Sequence, residues 1–266
     1  MHKNAVYQLL LVAMAIAAVF GLYFFGKTTQ PLTIEEAADA FTFSPEEVDF
    51  DTDVLMQKAV LELDAESATQ LESVPKEGQI DFWTSQDRND IATLLSREEA
   101  KERGSSEQWE RSGDLATRAF RESDDSLAKV FFLQEAVSSY EKALDTQPNT
   151  DTKLKLAKIH TSLTGATMQG VLLLREIVED DPAHVQANYE LGLLSLQSGQ
   201  NDKALARFDQ LIKQEPKFIE PYILKAQILL SDSRNDEAKD VIDAAIANTP
   251  NDDGKAVLQE MKERIN

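Results

Sequence analysis

The hydrophobic and polar positions divide the chain into a short uncharged beginning and a long amphipathic remainder. Residues 5–26 carry no charged side chain, and Gln8 is their one strongly polar residue. As an α-helix these 22 residues measure about 33 Å, which is enough for a bilayer core of about 30 Å. The pattern therefore predicts a transmembrane helix at residues 5–26, preceded by a short tail at residues 1–4.

A cleaved signal peptide is the alternative interpretation of this segment, with small residues at 15–17 as its cleavage site. Cleavage there would leave the apolar stretch AVFGLYFF at the new N-terminus, so a retained signal-anchor is favoured. Lys3 and the α-amino group precede the segment, and only Lys27 follows it closely. The positive-inside rule then predicts a cytoplasmic tail and an external domain.

One face of the predicted transmembrane helix carries small residues every four positions. Such spacing lets a second transmembrane helix approach closely, although membrane helices are also generally rich in Ala and Gly. The predicted contact face consists of Ala13, Ala17 and Gly21.

Residues 27–75 are predicted to form an acidic, partly helical spacer. Twelve acidic residues and a single base, Lys58, lie between residues 31 and 74. Such a run stays solvated and is repelled by anionic headgroups, so it holds the following domain away from the membrane. Aromatic residues could instead dock it on a partner or on the protein's own groove: Phe41, Phe43 and Phe50. One or two short helices are indicated by Val54, Leu55, Val60, Leu61 and Leu63.

The C-terminal half contains an internal repeat. Its prolines recur every 34 residues, at Pro148, Pro182, Pro216 and Pro250. In the unit that ends after Pro216, small and large residues stand where two crossing helices would meet: Leu191, Gly192, Ala204 and Phe208, with Gly199 at the turn between them. The preceding unit has Gly170 at the corresponding small site.

These residues resemble the tetratricopeptide repeat, a 34-residue pair of antiparallel helices closed by proline. Trp109 and Gly113 have the family's spacing and would start the first unit near Ser106, which leaves about eleven extra residues before Pro148. The resemblance implies an all-α fold in which the transmembrane helix is followed by a right-handed α-solenoid. We predict a degenerate helix pair at residues 76–105, four repeat units at residues 106–252 and a capping helix at residues 253–266.

The resemblance also implies a groove lined by the first helix of each unit, where other proteins or peptides bind. Some of its apolar positions could equally be core between helices. Some family members clamp a C-terminal carboxylate with Lys and Asn, but one turn after Lys155 this chain has Ile159, so a hydrophobic segment or amphipathic helix is the expected ligand. The predicted groove residues are Lys155, Ile159, Ser162, Gln186, Tyr189, Leu193, Leu196, Glu220, Ile223 and Gln227.

The charge and composition of the chain argue against several classes of function. With 27 basic and 47 acidic residues the formal charge is −20, which argues against nucleic-acid binding. The chain has no Cys and three His, and no catalytic or phosphate-binding motif. His160 and His184 are expected in core or capping roles, so no catalytic residue, metal or cofactor is predicted. A small basic patch, Lys153, Lys155 and Lys158, is either a solvated face or a dock for an acidic segment.

Three functions remain open. The first is a scaffold anchored in the bacterial inner membrane with its repeats in the periplasm, similar to the anchored repeat proteins that accompany the Sec translocon or serve cytochrome c maturation. The segments TGATMQGVLLLREIVEDDP and ELGLLSLQSGQNDKALARF also resemble anchored repeat proteins of Bacteroidota. The second is a cytosol-facing membrane adaptor, and the third is an enzyme with an unrecognised site. The sequence does not predict the oligomeric state.

Overall fold

The computed structural model describes residues 50–164 and 167–265, which belong to the unit Thr42–Asn266. The predicted tail at 1–4, the transmembrane helix at 5–26 with Ala13, Ala17 and Gly21, and the first part of the spacer lie outside the described residues. Across the part that is described, no helix combines the length and the apolar character that a bilayer crossing requires.

The described residues form helices joined by short turns, with no strand in these two ranges. Asp51 and Asp64 begin the first two helices, and each carboxylate accepts a backbone hydrogen bond from the first turn, at 2.9 and 2.7 Å. A 3-10 turn at Lys76–Gly78 leads into the next pair. These four helices are α1 (Thr52–Glu62), α2 (Ala65–Ser73), α3 (Gln79–Ser85) and α4 (Asn89–Arg103).

Only some of the apolar residues in and directly after α1 are buried. Leu55, Ala59 and Leu63 pack towards α3 and α4, and Ala59 is fully buried. Leu61 instead points outwards with 85% of its surface exposed, and Val54 and Val60 are also exposed. In a short helix with apolar residues on several sides, only the position of the neighbouring helices selects the face that is buried.

The remaining helices pack in consecutive pairs, and each pair packs on the next. A capping box begins the first of them, since Ser105 and Gln108 satisfy each other's backbone N–H groups. These helices are α5 (Ser106–Glu122), α6 (Ser126–Thr146), α7 (Thr150–Ser162), α8 (Thr167–Asp180), α9 (Val185–Gln197), α10 (Asn201–Gln214), α11 (Glu220–Ser231), α12 (Asn235–Asn248) and α13 (Asp252–Glu263).

Where the two helices of a repeat unit cross, the structure has the small and large residues that the repeat pattern predicts. Ala204 and Phe208 on α10 are fully buried. A Cβ atom at Gly192 would lie 2.7 Å from the Phe208 ring, so the absence of a side chain there lets α9 and α10 approach closely. Gly199 has a φ of +70°, which suits the turn between the two helices.

The eleven extra residues of the first unit lengthen both of its helices. α5 has 17 residues and α6 has 21, whereas α7 to α12 have 12 to 14. Trp109 near the start of α5 packs against Ala100 and Ala143, and Lys142 lies 4.5 Å from its ring centroid. The first unit therefore packs directly against α4, the helix that precedes it in the chain.

The last helix, α13, covers the end of the array. Leu258 is buried against α11 and α12, and Ile265 just after the helix joins the same cluster. Val257, next to Leu258 in the chain, lies on another side of α13 and is 66% exposed. Asn251 caps the helix by accepting a hydrogen bond from the Gly254 N–H at 2.6 Å.

Candidate protein-binding groove

The predicted groove residues lie on the first helix of each repeat unit. Within each of these helices they share one face, because they recur at spacings of three and four residues. On α7 they are Lys155, Ile159 and Ser162, and the structure places all three around one cavity of about 520 Å³ between α5 and α7. We call it the α5–α7 pocket. Its lining consists of Asp114, Thr117, Arg118, Phe120, Arg121, Tyr140, Lys155, Lys158, Ile159, Ser162 and Leu163.

The other predicted groove residues are not gathered into this pocket. Glu220 and Ile223 line a separate cavity of about 460 Å³ beside the start of α13. Tyr189 and Leu196 are half-buried against the buried residues of α10. The ring centroids of Tyr189 and Phe218 lie 5.0 Å apart. Exposure varies among the remainder: Gln186 and Gln227 are exposed, while Leu193 is half-buried.

Ile159 belongs to both of the classes that the sequence left open. It is 5% exposed and packs with Leu156 and Tyr140 in the core between α5, α6 and α7. The same side chain contributes to the wall of the α5–α7 pocket. It therefore supplies an apolar floor that the core holds in place.

Lys155 is held by two carboxylates of α5. Its Nζ atom lies 2.8 Å from Glu110 Oε1 and 2.8 Å from Asp114 Oδ1. Burial of the ammonium acts to lower the pKa of Lys155, but the hydrogen bonds to Asp114 and Glu110 outweigh burial, and the pKa is raised. Lys155 therefore joins α5 to α7, and its donors are engaged within the protein.

Tyr140 of α6 completes this network. Its hydroxyl donates a hydrogen bond of 2.7 Å to Asp114 Oδ1. Burial raises the pKa of Tyr140, and the neighbouring Asp114 carboxylate raises it further, although a hydrogen bond with Thr117 opposes the shift. The phenol stays protonated, so it acts as a donor that positions the carboxylate facing Lys155.

The basic patch predicted on α7 is neutralised within the structure. Lys153 lies 2.9 Å from Glu176, and Lys158 lies 3.2 Å from Glu190. With Lys155 paired as well, each of the three lysines has an acidic partner on another helix.

The sequence reasoning missed two arginines of the pocket. Arg118 and Arg121 lie on the last two turns of α5 and are exposed, and neither forms an ion pair within residues 50–164 and 167–265. The spacing of Trp109 and Gly113 pointed to them, because it makes α5 the first helix of a repeat unit. The groove face then continues along α5. The proline spacing, 34 residues per unit, does not lead to them because the first unit is eleven residues longer.

The two histidines have the core and capping roles predicted for them. His160 is buried, and burial lowers its pKa. His184 caps α9, since its Nδ1 atom accepts a hydrogen bond of 3.2 Å from the Ala187 N–H. The described ranges contain no group of three or more His, Cys, Asp or Glu side chains placed to hold a metal ion.

Comparison with known proteins identifies the repeats. A family model described as tetratricopeptide repeat matches residues 165–228 and, in an overlapping match, residues 195–260. Residues 165–260 therefore match tetratricopeptide repeats, and the predicted resemblance to this family is confirmed for that part of the chain. No curated protein matches the chain.

Solved structures share the fold. A tetratricopeptide repeat protein from Parabacteroides merdae is 20% identical, with a TM-score of 0.54 and coverage of 71% of this chain and 73% of that one. MamA from Desulfovibrio magneticus is 16% identical, with a TM-score of 0.51 and coverage of 65% and 92%. YrrB, described as having an unusual peptide-binding site, is 17% identical, with a TM-score of 0.50 and coverage of 77% and 97%. At these identities the similarity concerns the fold alone.

Proposed function

We propose that this protein is a non-enzymatic scaffold that binds segments of partner proteins along the groove faces of α5, α7, α9 and α11. The proposal is based on the α5–α7 pocket. Residues of α5 and of the groove face of α7 line this cavity of about 520 Å³, which has an apolar floor and a charged rim. The peptide-binding site named for YrrB, a structure of the same fold, supports this use of the repeats.

The scaffold is further proposed to be anchored in the bacterial inner membrane, with its repeats in the periplasm. The uncharged run at residues 5–26 and the bases that precede it support this arrangement. Ala13, Ala17 and Gly21 would let the anchor pack against another membrane helix. In this arrangement the protein serves as an accessory or assembly subunit of a membrane complex such as the Sec translocon.

Partner binding is tested by affinity purification of the full-length protein from native membranes in mild detergent, read by mass spectrometry. Ser162, Gln186 and Gln227 are exposed on the groove faces, so replacing all three with arginine leaves the core intact. We expect this triple variant to lose at least one specific partner, because three bulky cations would fill the binding face.

The matched control changes Thr146, Thr167 and Ala247 to arginine. These residues are exposed on the second helices of their units, and the substitutions add the same charge. The control should retain the partners of the natural sequence, and both variants should keep its circular dichroism spectrum. Identical partner sets for the two variants, or no specific partner at all, would contradict the proposal.

The location is tested separately by fusing a reporter after Asn266. Alkaline phosphatase, which is active only outside the cytoplasm, should be active in this fusion. A fluorescent reporter that folds only in the cytoplasm should be dark at the same position. The reverse pair of results would overturn the periplasmic location and favour the cytosol-facing adaptor.

A further inference from the structure

The α5–α7 pocket has the opposite charge to the protein as a whole. Four cationic side chains and one anionic side chain line it, although the chain carries a formal charge of −20. Lys155 and Lys158 are paired with acidic residues of neighbouring helices. The charge available to a ligand therefore comes from Arg118 and Arg121.

Arg118 and Arg121 have the placement that ligand recognition requires. They are three residues apart on α5 and so share one side of that helix, next to the cavity. Both are exposed, and neither is engaged by a carboxylate of the described chain. A guanidinium presents its donors in a planar fork that matches a carboxylate, and it stays charged at every physiological pH.

Apolar surface lies beside the two arginines. Phe120 lies between them in sequence and is half-buried, Ile159 forms the floor, and Leu163 at the end of α7 is 40% exposed. A large aliphatic side chain exposed next to a cavity is an unfavourable contact with water that a ligand can remove. The pocket thus combines an apolar surface with unpaired cations at its rim.

We propose that the α5–α7 pocket binds an acidic segment of a partner protein that carries a large apolar side chain. The carboxylates of this segment pair with Arg118 and Arg121, and its apolar side chain contacts Phe120, Ile159 and Leu163. This inference rests on the proposed scaffold function and specifies the chemistry of the ligand. Charge complementarity favours an acidic occupant, because the two guanidinium groups attract carboxylates within a protein whose formal charge is −20.

Binding is tested with full-length protein in mild detergent and a fluorescein-labelled peptide of about twelve residues, read by fluorescence anisotropy. In this probe, Asp and Glu flank one Phe and one Leu. A second peptide has Lys in place of the acidic residues, and a third has Ser in place of Phe and Leu. We expect only the first to bind well and its affinity to fall as salt is raised, because exposed charge pairs are screened.

The pocket is assigned by variants. Arg118→Glu combined with Arg121→Glu should weaken binding of the acidic peptide about tenfold or more, since two attractions become repulsions. Lys203→Glu combined with Lys213→Glu is the matched control. It makes the same charge change at exposed positions of α10, away from the pocket, and should leave affinity within about twofold.

The apolar contribution has its own pair of variants. Leu163→Ser should weaken binding severalfold because it removes exposed apolar surface from the pocket. Leu61→Ser removes a leucine that is 85% exposed on α1, outside the pocket, and should have no effect. Both positions are exposed, so neither substitution creates a core cavity.

Failure of this inference is distinguishable from failure of the scaffold function. If the acidic peptide does not bind, or if the arginine reversal and its control bind it equally, the inference is overturned. A pocket already filled by a segment of the chain itself would give the first of these results. The scaffold function would still stand if the purification from membranes shows partners that depend on the groove.

Discussion

Replacing Phe208 with alanine is expected to lower the free energy of unfolding by about 3 to 5 kcal/mol, the usual range for removing a buried aromatic ring. Phe208 is 0% exposed and packs with Ala204, Leu211 and Ile228 where α9, α10 and α11 meet. Its ring also lies against the backbone of Gly192. The cavity left by alanine cannot close, because these neighbours are held by adjacent helices of the array.

The measurement is urea unfolding followed by far-ultraviolet circular dichroism. Val257→Ala is the control, because Val257 is 66% exposed on α13 and its truncation should change stability by no more than about 0.5 kcal/mol. A loss below about 1 kcal/mol for Phe208→Ala would show that this ring does not hold the third repeat unit together.

Replacing Gly170 with valine is the second substitution with a large expected effect, about 2 to 3 kcal/mol of lost stability. A Cβ atom at Gly170 would lie 2.6 Å from the carbonyl oxygen of Ala157 and 2.5 Å from Thr161 Cγ2. The carbonyl oxygen belongs to the backbone of α7, so the contact is relieved only if α7 and α8 separate. Removing a glycine from a helix normally stabilises it, and here that gain is outweighed.

Met168→Val is the matched control, since it introduces the same side chain at an exposed position of the same helix. The two variants are compared by urea unfolding and by peptide binding. Gly170→Val should also weaken binding in the α5–α7 pocket, because α7 forms one wall of that pocket. Equal stability of the two valine variants would mean that the crossing of α7 and α8 tolerates a side chain.

These two predictions concern positions that sequence reasoning located correctly. Gly170, Gly192 and Phe208 stand at fixed places in a period of 34 residues. Two helices can cross closely only where one of them has little or no side chain, so the periodic small residues predict the crossings without coordinates. The all-α repeat fold was predictable for the same reason.

The earlier helices show where this reasoning stops. Leu55, Ala59 and Leu63 bury one side of α1, whereas Val54 and Leu61 face solvent. All of these positions except Ala59 are large and aliphatic, and the pattern within eleven residues does not say where the neighbouring helices lie. The same limit applies to the extra residues of the first unit, which the structure divides between α5 and α6.

The repeat period and its small residues predicted the helix pairs and their crossings, because both are properties of short stretches of chain. The set of charges available to a ligand depends instead on how the helices pack. Lys155 meets Glu110 and Asp114, 45 and 41 residues away, and each partner lies on a different helix from the lysine. Charge pairing depends on distances between helices, and those distances leave Arg118 and Arg121 unpaired beside the pocket.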